Sequence, residues 1–154
     1  MILKSLTTRS ALHCQGLDLL DPEISVVLCD DALIESLNIT WRGEQKPTDV
    51  LSFPSFEPEE LDLTQPGLHL GDIIINLDYV ERLLQTQTHK ERVSTELGVP
   101  KESLDWGVNE EVEFLFIHGL LHLVGHDHAE PEEEAHMKNE EKRLWLAASP
   151  ARIS

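Results

Sequence analysis

Residues 109–128 read NEEVEFLFIHGLLHLVGHDH, and this stretch decides the fold class. Asn109 can cap a helix whose first turn carries Glu110, Glu111 and Glu113, the charge that the positive end of a helix favours. From Val112 to Leu123 apolar residues fall on nearly every side, so the helix is expected to be buried all round. Gly125 follows Val124 as a stop, because glycine adopts the left-handed conformation at a helix end without steric cost. A final helix starts near Pro131 and passes Met137, Leu144 and Trp145, with acids early and Lys142 and Arg143 late.

Upstream the pattern changes period. Ile24–Cys29 is short and β-branched, a strand by composition, and Asp30 and Asp31 then offer an N-cap for a helix to about Asn38. Polar, Gly and Pro residues from Trp41 to Thr48 break that helix before a brief strand, Val50–Phe53, closed by Pro54. Residues 54–68 are acidic and Pro-rich and read as a surface loop. Leu70–Leu77 is the strongest strand, and its run of Ile73, Ile74 and Ile75 implies burial on both faces. Asp78 can cap a helix from Tyr79 to about Thr86, while residues 88–107 read equally as helix or loop. Strands mixed with helices, ending in two consecutive helices, predict an α+β fold with one mixed sheet.

With 154 residues the chain has the length of one domain, taken as residues 1–154. Apolar residues make up 40% and charged residues 27%, which excludes a disordered tail. No apolar run approaches the ~20 residues of a membrane span, and the N-terminus meets polar residues too early for a signal peptide. A cytoplasmic globular protein is expected. Twelve Lys and Arg against 29 Asp and Glu leave a net charge of −17, which weighs against generic nucleic-acid binding. The imbalance is local: residues 110–141 hold ten acids and one base, whereas residues 40–56 balance Arg42 and Lys46 against Glu44 and Asp49. An anionic substrate would have to enter through that neutral window. Cys14 and Cys29 are expected to be free thiols.

Four of the eight histidines lie between residues 118 and 128. His118 and His122, four apart, share one helix face with Cβ atoms ~5–6 Å apart, close enough to converge on one ion. The turn at Gly125 can bring His128 round as a third ligand. Three imidazoles with an open fourth position describe a catalytic zinc site, since structural sites usually close with four ligands. In the zinc peptidases the residue after the first histidine is a glutamate acting as general base. Here it is Gly119, which weakens a peptidase reading. Asp127 could orient an imidazole, take a proton from water, or only cap the turn. His126 is expected to face solvent or substrate rather than metal.

His118–His128 resembles the H-G-x-L-H-L-x-G-x-D-H motif of the YbeY family, the bacterial rRNA maturation endoribonucleases. Residues 37–43, LNITWRG, and 46–54, KPTDVLSFP, resemble a second block of that family, and Leu70–Ile75 its G-D-I strand. The resemblance implies a zinc-dependent, single-strand-specific endoribonuclease that matures the 3′ end of 16S rRNA and helps remove defective ribosomes. It implies one zinc ion per chain, or another divalent metal, on His118, His122 and His128. It places the family's functional arginine on Arg42, where a guanidinium can clamp phosphate oxygens bidentately. Partners would be 16S rRNA and small-subunit proteins, with no membrane and no DNA. It also implies a further strand at Ile2–Leu6, hence a mixed, mostly parallel four-stranded sheet beside a zincin-like His-bearing helix. Two other functions compete: a zincin-like metallopeptidase or metallohydrolase, and a non-catalytic ribosome-assembly factor with structural metal.

Overall fold

The computed structural model describes residues 2–148. In chain order these form α1 (Ile2–Gly16), β1 (Glu23–Cys29), α2 (Asp31–Arg42), β2 (Val50–Pro54), β3 (His69–Asn76), α3 (Leu77–Leu84), α4 (Gln87–Leu97), α5 (Val108–Leu123) and α6 (Pro131–Ala147). Short 3-10 turns occupy Pro58–Glu60 and Lys101–Ser103. The class is α+β, as expected.

β3 is the central strand of three, in the order β1-β3-β2. β1 runs parallel to it with Val26 opposite Ile73, and β2 antiparallel with Leu51 opposite Ile74. Alternation along β3 sends Ile73 and Ile75 to one face, against Phe116 and Leu120 of α5. Ile74 goes to the other face, against Ile34 of α2 and Leu51. The isoleucine run is therefore buried on both sides. α5 also joins a second core, in which Ile117 and Leu121 meet Val93 and Leu97 of α4 and Met137, Leu144 and Trp145 of α6. Each such side chain contributes about 1.5–3 kcal/mol on burial, which makes α5 the element that holds sheet and helices together.

One close approach sets the distance between α5 and the sheet. A Cβ at Gly119 would lie 2.9 Å from Ile73 Cγ2 and 3.1 Å from Ser52 Oγ. Only glycine lets the helix sit this near the strands. Position 119 thus faces the sheet.

Four expectations need correction. Among the described residues the sheet has three strands, not four, with one parallel and one antiparallel pair rather than a parallel majority. Ile2–Leu6 is not a strand but the start of α1. Neither Gly nor Pro occurs before Gly16, so nothing separates that segment from the helix that follows. α1 is fastened to α5 by buried Glu113, which accepts hydrogen bonds from Arg9 Nε at 3.0 Å and His13 Nε2 at 2.7 Å. The caps also shift: Gly107, not Asn109, precedes α5, and Asn76, not Asp78, caps α3 by accepting from the Asp78 and Tyr79 amides.

The ambiguous stretch resolves into α4 and a turn. Cys14 and Cys29 are free, and burial pushes each thiol up to about 11, aided at Cys29 by Asp30, Asp78 and Asp31. Both thiols are therefore held in the protonated form at neutral pH. Among the described residues no helix is long and apolar enough to cross a membrane.

Candidate active site

His118 and His122 stand one turn apart on α5. Gly125, at φ 100°, then reverses the chain. The reversal is fastened by the Gly125 amide donating to the His122 carbonyl at 3.1 Å and the His126 amide to that of Leu121 at 2.9 Å. It returns His128 to the first two histidines. The three side chains bring ligand nitrogens within 4.8 Å of one another.

Hydrogen bonding orients two of the rings. Glu141, on α6, accepts from His118 Nδ1 at 2.6 Å and is itself nearly buried. The His126 carbonyl accepts from His122 Nδ1 at 3.0 Å. Each Nδ1 proton is thereby committed, so the two Nε2 atoms, 3.2 Å apart, face each other as bare acceptors. Opposed lone pairs repel unless a cation lies between them. A tetrahedral zinc ion with bonds of ~2.0–2.1 Å separates its ligand atoms by ~3.3 Å, so this donor pair fits zinc. The pKa of His122 is pushed down to about 4, first by burial and then by its neighbours His118 and His128. That keeps the ring neutral, the form a metal requires.

Glu141 escapes sequence reasoning based on motif spacing, because it lies 23 residues from its partner. A signal exists nonetheless. Met137, Glu141, Leu144 and Trp145 are the buried positions of α6, so one acid interrupts an apolar stripe. Replacing Glu141 by alanine is expected to weaken zinc binding by about 10–100-fold, with glutamine falling between. Competition against a chromophoric chelator measures this, and unchanged affinity in both variants would remove Glu141 from the site.

A cleft of about 560 Å³ opens over the triad, and Arg42, Thr48, Asp49, Ser52 and Asp127 share its walls with the three histidines. Arg42 ends α2 and is exposed, with Glu44 the nearest acid at 3.9 Å. Lys46 does not line the cleft and pairs with Glu44 at 3.6 Å. Asp49 caps its own strand, accepting from the Val50 amide at 2.8 Å. Asp127 accepts from the His128 amide at 2.7 Å, which secures the turn carrying the third ligand. The imidazole-orienting positions at His118 and His122 are filled by Glu141 and a carbonyl instead. His126 also lines the cleft, with its ring stacked on His136 of α6 at 5.2 Å.

The family profile described as Endoribonuclease YbeY matches residues 3–148. A Rhizobium etli protein named Endoribonuclease YbeY is 38% identical over 123 residues, covering 80% of this chain and 61% of that protein. One of the same name from Syntrophomonas wolfei is 38% identical over 126 residues, covering 79% and 70%. Another, from Anaeromyxobacter, is 36% identical over 144 residues, covering 94% and 64%. The chain spans between 61% and 70% of the length of these curated relatives. The solution structure of TM1509 from Thermotoga maritima superposes with a TM-score of 0.53 at 25% identity, covering 96% of this chain and 81% of that one.

Proposed function

We propose, because the chain belongs to the endoribonuclease YbeY family, that it is a zinc-dependent endoribonuclease acting on single-stranded RNA. Its substrate in the cytoplasm is the 3′ end of 16S rRNA during late maturation and quality control of the small ribosomal subunit. One observation supports this above the rest: three inward-facing imidazoles share a cleft with an exposed guanidinium.

Zinc, when held by His118, His122 and His128, supplies Lewis-acid chemistry to the phosphodiester. The remaining work belongs to the chain. Arg42 binds the non-bridging oxygens, where negative charge grows as the bond breaks. Glu141 fixes the His118 ring so that its Nε2 points inward. Asp127, beside His128 on the cleft wall, takes a proton from the attacking group in this proposal. The net charge of −17 opposes RNA in bulk, so basic small-subunit proteins deliver the strand and free RNA binds weakly and with strong salt dependence.

The peptidase alternative loses ground on Gly119. Even a Cβ there would press on Ile73 and Ser52, so the position a peptidase fills with its general base has no room for a side chain.

The test uses a single-stranded 16S 3′-end fragment, the same sequence as a duplex, and a peptide library. Cleavage of the single strand alone is expected, lost on chelation and restored by zinc. Peptide turnover without RNA cleavage would overturn the reading in favour of a peptidase. Inactivity on both, with activity only in subunit assembly, would leave the metal a structural role.

A further inference from the structure

A second cavity, of about 310 Å³, adjoins the triad between α4, α5 and α6. His118, His128 and Asp49 line both it and the cleft, so the two spaces meet at the candidate metal centre. Its volume lies at the small end of ligand pockets, ~300–1,000 Å³. Val93, Phe114, Leu115 and Met137 give it an apolar wall.

Two polar groups on its α4 side stand out. Arg92 Nη2 donates to His89 Nδ1 at 3.1 Å. Because a guanidinium only donates, His89 must carry its proton on Nε2, and it passes that proton's hydrogen bond to Glu111 Oε2 at 2.8 Å. Trp106 Nε1 donates to the same oxygen at 2.6 Å. A buried relay thus anchors the guanidinium at one corner, and Arg92 has no carboxylate partner among the described residues. One turn further along the helix, Glu96 lines the cavity and accepts no hydrogen bond among the described residues. Lys138, on the facing helix, is already paired with Glu134 at 3.1 Å.

We propose that this cavity receives an unstacked guanine base from the nucleotide beside the scissile phosphate, read by Arg92 and Glu96. The inference rests on the nuclease reading and names the base that reading leaves open. Phosphate is disfavoured here because Glu96, Glu134 and Glu141 all line the space. A planar base with an apolar wall and two polar edges fits instead. Guanine alone among the four bases presents two adjacent donors, N1–H and N2–H, to a carboxylate, with O6 and N7 left for a guanidinium. Single-stranded RNA exposes these edges when a base is splayed from its neighbours.

The test uses the zinc-loaded full chain and single-stranded oligoadenylates carrying one guanosine, one inosine or one abasic residue at the same position. Cuts by the wild type are expected to cluster beside guanosine. Inosine, which lacks the N2 amino group, should lower kcat/KM there by about 10-fold or more, and the abasic residue should remove the preference. Arg92→Ala and Glu96→Gln, both at exposed positions, should keep their zinc while the guanosine-to-adenosine ratio falls toward one. Equal cutting beside guanosine and adenosine by the wild type would overturn the proposal. So would variants that retain the preference. If the wild type cuts no RNA at all, the nuclease reading falls, and the base pocket with it.

Discussion

Arg42→Glu is expected to lower single-turnover cleavage of single-stranded RNA by about a thousandfold while leaving one zinc ion per chain. Arg42 is the last residue of α2 and stands across the cleft from the histidines. It is exposed, and its one ion pair among the described residues is a long surface contact with Glu44 at 3.9 Å, whose loss costs the fold little. Removing one preorganised donor at a developing oxyanion costs about 10²–10³ in rate, and reversing the charge adds repulsion of the phosphate. Arg42→Lys should recover part of the loss, because lysine restores charge without the planar fork that binds two oxygens. Metal analysis beside the cleavage assay separates this from damage to the triad. Zinc lost along with activity would place Arg42 in metal binding, and cleavage within a factor of two of wild type would remove it from the mechanism.

The second large effect concerns a substitution that makes the sequence look more like a peptidase. Gly119→Glu recreates the H-E-x-x-H pattern, yet the expected product is a protein that fails to fold or binds no zinc. The first atom of any side chain at this position would lie 2.9 Å from Ile73 and 3.1 Å from Ser52. Overpacking of that kind costs about 1–3 kcal/mol, and burying an unpaired carboxylate adds several more. Relief requires α5 to move off the sheet, which displaces His118 and His122 together. Thermal unfolding and zinc titration check the outcome. Native-like stability with new peptide hydrolysis would mean that position 119 faces the cleft after all.

The parts legible in the sequence were those held by local physics. The triple-isoleucine strand needed only its neighbours to announce burial on both faces, and α5 needed only its unbroken apolar run. The histidine spacing carried its geometry within eleven residues. What stayed hidden depends on contacts distant in the chain. Glu141 acquires meaning only when α6 packs beside α5. The resemblance to a family suggested a strand at Ile2–Leu6, but the uninterrupted sequence as far as Gln15 extends as a helix and docks on Glu113. The Asn76 cap is hidden in the sequence because Asn76 also belongs to the buried end of β3, where its amide donates to Asp31 at 2.7 Å. α4 carries few apolar residues, and its period emerges only from the buried trio His89, Val93 and Leu97.

α5 lies in both major cores and also carries two of the three imidazoles. An ion captured by a mobile loop would order that loop alone. Here His118 and His122 cannot part without unwinding the helix that ties the sheet to α4 and α6. The binding free energy of a zinc ion held there would therefore enter the global folding equilibrium, each tenfold excess of zinc over its dissociation constant adding about 1.4 kcal/mol to the whole chain. Under the proposed zinc dependence, metal supply would then govern lifetime as well as turnover: a cell short of zinc would hold fewer copies of this protein, because the unmetallated chain would unfold more often within reach of proteases.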